Sequence, residues 1–222
     1  MIYSPFGLLF LIVLLVLLGL FVLLIELRIL AYAYRKIGVR PRYVVMVMLL
    51  SLFGSHVNVP LYTVPVARLT APEEIWRYGR LYVVPPAVER GATVVAINVG
   101  GALIPIAVSV YLALRTRLFL KMLAGTLIVA VVVHALAEVV PGVGITVPIL
   151  LPPLVAAAVG LVLAFRRAPP VAYVSGAMGT LLGADVWNLG RITELGAPVV
   201  SIGGAGTFDG IFLTGIIAGL IA

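Results

Sequence analysis

Seven apolar stretches, separated by short polar or Gly/Pro-rich segments, set the rhythm of the chain. They run over residues 5–34, 43–59, 92–114, 120–140, 148–165, 171–189 and 199–221. A helix rises 1.5 Å per residue, so about 20 apolar residues cross the hydrocarbon core of a bilayer. The pattern predicts an all-α integral membrane protein of about seven transmembrane helices, a single bundle over residues 1–222. Residues 61–91 are the longest polar stretch and are expected as an extramembrane loop. Two β-like pieces in it, residues 61–66 and 80–84, predict a small β-like hairpin around residues 72–79. Pro65, Pro85 and Pro86 would keep such strands short and at an edge. The run PGVGITVP at residues 141–148 cannot continue a helix, and Gly203, Gly204, Ala205 and Gly206 interrupt the start of the last stretch. Both read as broken or re-entrant segments, and Pro105 as a helix kink.

Composition narrows the class. The chain is 63% hydrophobic and 10% charged, whereas soluble domains are roughly 45–50% apolar and 25% charged. The bilayer is therefore the expected partner. The net charge of +7 does not point to nucleic acid, because the basic residues sit in short clusters between apolar runs. One set of alternate loops holds Arg35, Lys36, Arg40, Arg42, Arg115, Arg117, Lys121, Arg166 and Arg167. The other holds Arg68, Arg77, Arg80, Arg90 and Arg191, mixed with acids. Positive loops face the cytoplasm, so a cell-membrane location is expected, with the N-terminus outside and the C-terminus cytoplasmic. The first stretch is longer than a signal-peptide core and no basic residue precedes it, so it reads as a span. The chain has no Cys, which excludes disulfides and thiolate metal sites, and no cofactor or metal is expected. It has no Gln and only three Asn, a composition that hints at a hot environment.

The candidate chemistry lies in two carboxylates on neighbouring apolar stretches, Asp185 and Asp209. A carboxylate at membrane depth is costly and is seldom kept without a use. The alternative for each is a surface position or a helix cap. Other polar groups fall in the same half of the predicted membrane: Asn98, His134, Glu138, Asn188 and Ser201, with His56 and Asn58 nearby. His134 and Glu138 are spaced to share one helix face. Gly203, Gly204 and Gly206 would let backbone approach backbone or ligand and aim free N–H groups at it. A tight helix crossing is the other reading of these glycines.

The motifs NVGGALIP, PGVGITVP, GADVWNLG and SIGGAGTFDGIFLTG resemble a family of uncharacterised prokaryotic multi-span membrane proteins, a domain of unknown function. That resemblance covers most of the chain after the first stretch and implies the spans but no activity. Two aspartates on consecutive helices, the second after a glycine run, also resemble the presenilin and signal-peptide-peptidase class of intramembrane aspartyl proteases. Here Asp185 follows Ala184 where that class has Tyr, Gly206 falls short of Asp209, and the class's Pro-Ala-Leu is absent.

Two functions are open on these residues. In an intramembrane aspartyl protease Asp185 and Asp209 would share a proton and hydrolyse a transmembrane peptide, presented by strand addition to the hairpin. In a secondary transporter or ion- or proton-binding protein the same carboxylates, with Glu138 and His134, would hold a small ion at broken helices. A metal-dependent hydrolase on His56, His134, Glu138 and an Asp lacks the second local His of a zinc-protease helix.

Overall fold

Helices form within every apolar stretch, but two of the stretches begin as β-strands. The protein is described from a computed structural model covering residues 6–69, 73–77, 80–84, 88–141, 144–204 and 210–222. The helices are α1 (Phe6–Lys36), α2 (Pro41–Gly54), α3 (Ile104–Thr116), α4 (Phe119–Leu136), α5 (Leu151–Ala164), α6 (Ala168–Thr180) and α7 (Gly210–Ile221). Prolines lie in the first turn of α2, α3, α5 and α6, where a missing N–H leaves no hydrogen bond unmade. Pro105 lies in the first turn of α3, directly after the π-turn Val99–Leu103. Among the described residues four helical stretches are long and apolar enough to cross a membrane: Gly7–Lys36, Val99–Thr116, Phe119–Leu136 and Leu151–Ile192. The last of these doubles back through a 3-10 turn at Phe165–Arg167, so that α5 and α6 pack along each other. The helices α2 and α7 are apolar but shorter.

Helix α6 is the centre of the bundle, packed by α3, α4, α5 and α7. Nearly all its side chains are buried, and most are small. A Cβ at Gly160 of α5 would come within 2.6 Å of Ala172, and one at Gly179 within 2.6 Å of Val129 of α4. Small residues let helices touch where lipid offers no hydrophobic gain for association, so packing itself must hold them together. Helix α1 is the opposite: residues 7–29 are exposed, its mean hydropathy reaches 3.6, and only its C-terminal end, through Ala33, Tyr34 and Ile37, enters the core.

The strands β1 (Asn58–Leu69), β4 (Val88–Asn98) and β7 (Val199–Ile202) form one sheet in the order β1-β4-β7. β1 and β4 are antiparallel; β4 and β7 are parallel. Between β1 and β4, β2 (Glu73–Arg77) and β3 (Arg80–Val84) form a hairpin, and β5 (Glu138–Val140) pairs with β6 (Gly144–Thr146). The expected hairpin is therefore present, with different partners. Residues 80–84 pair with 73–77, while Tyr62 and Val66 pair with Val95 and Gly91. Residues 92–98 and 199–202 were expected as helix and are strand. Both are short apolar runs rich in Val and Ile, and hydrophobicity alone does not separate a buried strand from a helix. Pro60 and Pro65 sit on the edge strand β1, where a missing donor leaves the ladder intact.

The two ends of the bundle differ. At one, Lys36 Nζ donates to Leu220 O (2.6 Å), and the Arg115 guanidinium donates to Gly38 O. These contacts gather the last turns of α1, α3 and α7. The sheet lies at the other end, beside the last turns of α2, α4 and α6.

Candidate functional site

The polar residues converge at the sheet end. Asn98 closes β4 and opens a π-turn, Val99–Leu103, that leads into α3. It is fully buried. Its Oδ1 accepts from Gly101 N–H (2.7 Å), while its Nδ2 donates to Ser55 O (2.7 Å) and Asn58 Oδ1 (3.0 Å). The same Asn58 Oδ1 accepts from Ser201 Oγ of β7 (2.6 Å). This chain ties β1, β4, β7 and the end of α2 together, and it meets the orphan N–H groups at a helix start. Asn98 and Ser201 thus spend their hydrogen bonds within the fold.

The glycine run meets the same turn. Gly203 (φ 88°) and Gly204 (φ 76°) adopt the left-handed region, which glycine enters without steric cost. A Cβ on Gly203 would lie 2.6 Å from Ala102 Cβ, and one on Gly101 would overlap Gly203 O. Close approach of two backbones is therefore what these glycines provide.

Asp185 ends a second π-turn, Leu181–Asp185, that follows α6. Its Oδ2 accepts from Gly203 N–H (2.7 Å), which joins the end of α6 to the turn after β7. The turn is held from behind by Asn188, whose Nδ2 donates to Gly183 O (3.1 Å) and Ala184 O (2.9 Å). His134 Nδ1 lies 3.2 Å from Gly183 O, and its ring stands edge-on to Trp187 at 5.5 Å. Nδ1 also lies 3.3 Å from Asn188 Nδ2; a carbonyl only accepts and an amide N–H only donates, so the ring tautomer decides which of the two Nδ1 bonds. Glu138 is not beside His134 on a helix. Helix α4 stops at Leu136, Ala137 is extended, and Glu138 is an exposed residue of β5. The hairpin that PGVGITVP forms with the residues before it draws Glu138 out of the helix.

Asp185 lines two cavities. One, of about 280 Å³, is bounded by Ile145, Leu189, Ile192 and the strand β7 with Gly204. The other, of about 300 Å³, is bounded by Pro148, Pro152, Thr180, Gly210, Ile211 and Thr214. Thr180 Oγ1 is buried with no hydrogen-bond partner among the described residues. Gly206 and Asp209 lie outside the described residues. Among the described residues no three His, Cys, Asp or Glu side chains are grouped to hold a metal. Sequence reasoning gave Asn58 no role, though its place beside Ser55 and His56 at the end of an apolar stretch was a signal. It missed Thr180, whose hydroxyl inside an apolar run carries no such mark.

Helices of this length and apolarity suit a membrane environment, and the site sits where they meet a small sheet. Residues 52–221 match the model of the family described as "Protein of unknown function (DUF1614)", and the chain belongs to that family. No curated protein and no solved structure gave a match.

Proposed function

We propose that the chain crosses the bilayer about seven times, and that Asp185 with Asp209 forms an intramembrane di-aspartate site that hydrolyses an extended peptide segment. One observation carries this reading: Asp185 stands in a cavity walled by the outer edge of a β-strand. Pro198 O accepts from Val94 N–H (2.9 Å). Strand alternation then turns the backbone groups of Val199 and the Ser201 N–H away from β4, toward that cavity, while Ser201 O accepts from Gly204 N–H (3.2 Å). A substrate strand added there would lie alongside Asp185. The receiving edge is β7, and not the hairpin. Gly210, the chain neighbour of Asp209, lines the second cavity together with Asp185.

In the proposed reaction the two carboxylates share one proton, since like charges at close range do not both ionise. The ionised one takes a proton from water as its oxygen bonds the amide carbon. The protonated one polarises the carbonyl, and the C–N bond breaks as the amine gains a proton. Reconstituted protein should cleave a single-span reporter peptide, and Asp185→Asn and Asp209→Asn should each abolish cleavage. Cleavage that survives either change overturns the reading.

A second reading is a transporter or ion-binding protein. Its support is the interruption of helices at Val99–Leu103 and Leu181–Asp185, because broken helices at membrane depth expose backbone groups to a cargo. Proton or cation flux into proteoliposomes, lost in Asp185→Asn without any peptide cleavage by the wild type, selects it. The proposed orientation puts the basic end in the cytoplasm. The chain lacks Cys, so single cysteines at Arg117 and Arg191 report it directly. An impermeant maleimide added to intact cells should label Arg191→Cys and not Arg117→Cys.

A further inference from the structure

The basic end holds a feature that the aspartate site does not use. A groove of about 330 Å³ runs between α2 and α3, lined by Val39, Tyr43, Met46, Leu50, Ala107 and Tyr111 among others. Its lining is almost wholly apolar and includes two tyrosines in edge-to-face contact, Tyr43 and Tyr111, with centroids 6.4 Å apart. Each tyrosine carries an arginine. Arg42 lies 4.6 Å from the Tyr43 ring centre and Arg115 6.0 Å from that of Tyr111, with its guanidinium also donating to the Tyr111 hydroxyl (3.3 Å). Both arginines are exposed, and the one ion pair among the described residues is elsewhere, between Arg191 and Glu194. The loops at this end carry Arg35, Lys36, Arg40, Arg42, Arg115, Arg117, Lys121, Arg166 and Arg167 and no acid.

We infer that this groove binds one anionic phospholipid, with an acyl chain between α2 and α3 and the phosphate between Arg42 and Arg115. An apolar slot beside two guanidiniums that have no acidic partner among the described residues matches a molecule with a long hydrocarbon tail and an anionic head. Arginine binds phosphate through two parallel N–H donors, and basic pockets between membrane helices are suited to anionic head groups. The tyrosines hold the guanidiniums at the level where tail meets head group. This inference rests on the membrane setting and is independent of the aspartate chemistry.

The test is native mass spectrometry of the full chain in detergent with added phosphatidylglycerol or phosphatidylcholine. One phosphatidylglycerol should be retained in preference to phosphatidylcholine. Arg42→Gln should weaken that preference about fivefold, as expected for one basic residue against an anionic lipid. Because Arg115 also holds Gly38, Arg42 is the cleaner variant. Ala107→Phe, which fills the groove and leaves the charge unchanged, should cut retention of both lipids, with the melting temperature checked to show that the variant folds. The double change Arg166→Gln and Arg167→Gln, on a loop that does not line the groove, should leave the preference intact. Equal retention of the two lipids, or an equal loss from the 166/167 change as from Arg42→Gln, overturns the site in favour of diffuse charge attraction.

Discussion

At one end of the bundle the helix termini meet through Lys36, Gly38, Arg115 and Leu220; at the other they meet through Asn98, Asn58, Ser201, Asn188 and Asp185. The first end consists of regular helix ends trimmed with exposed cations. Lys36 there supplies both a donor and a positive charge to the last carbonyls of α7, where the helix dipole is negative. The second end consists of irregular turns whose backbone groups are taken up by the Asn98 and Asn188 amides and the Asp185 carboxylate, inside a space kept tight by glycines. Exposed cations ask little of their surroundings, and orientation and lipid contact are what they suit. Buried amides demand partners at fixed positions, and the outcome is a rigid frame around one carboxylate. Chemistry in such a chain is to be sought where side chains hold an irregular backbone and an acid lines a cavity, as Asp185 does.

The contrast can be broken most severely at the glycines. A side chain on Gly100 would overlap the backbone of Ser51 and Ser55. Gly100→Leu should exceed the usual overpacking cost of about 1–3 kcal/mol, because backbone cannot step aside, and yield no monodisperse protein by size-exclusion chromatography. Gly19 of α1 has nothing within 4 Å, and Gly19→Leu should purify like the wild type. Asn98→Ala comes next. It strands Gly101 N–H and Ser55 O in a buried place, at a cost of about 1–3 kcal/mol, read as a lower midpoint in detergent–SDS unfolding. Asn188→Ala removes the side-chain donor shared by Gly183 O and Ala184 O in the turn before Asp185, leaving His134 Nδ1 beside Gly183 O. It should cost about 1–2 kcal/mol in the same assay and lower whatever activity Asp185 supports more than Asn98→Ala does. The smallest effect belongs to the basic end. Lys36→Met removes one part-buried hydrogen bond and should shift the unfolding midpoint by no more than about 1 kcal/mol. A larger loss from Lys36→Met than from Asn98→Ala would contradict the contrast.

The sequence made some of this plain and hid the rest, for physical reasons. Apolar length announced α1, α4 and the α5–α6 pair, because nothing but a long helix satisfies that many apolar residues in a row. It did not announce that α1 faces outward while α6 is the core. That difference lies in size, leucine and valine in one against Gly, Ala and Ser in the other, and only packing partners such as Gly160 with Ala172 reveal it. Residues 92–98 and 199–202 misled because a strand pressed onto helices is as apolar as a helix. Asp185 stood out because an acid in an apolar run is rare. His134 and Glu138 did not pair as their spacing promised, since one extended residue, Ala137, ends the helix between them. Asn98 was legible as polar but not as a cap, because the strand that precedes it was read as helix; its Nδ2 partners, Ser55 and Asn58, lie far away in sequence.

Whether Asp185 and Asp209 face each other is decided by disulfide trapping. The absence of native Cys makes the result unambiguous. In Asp185→Cys/Asp209→Cys a bridge should form, by mild oxidation or through a short thiol-reactive cross-linker, since disulfide-bridged residues have Cα atoms about 4.4–6.8 Å apart and two aspartates that share a proton hold theirs at that range or one linker length beyond it. Ala96→Cys/Ser201→Cys, Cα partners across β4 and β7, serves as the positive control. A bridge in both pairs is the predicted result. A bridge in the control alone contradicts the di-aspartate site and leaves Asp185 as the sole carboxylate of a binding cavity.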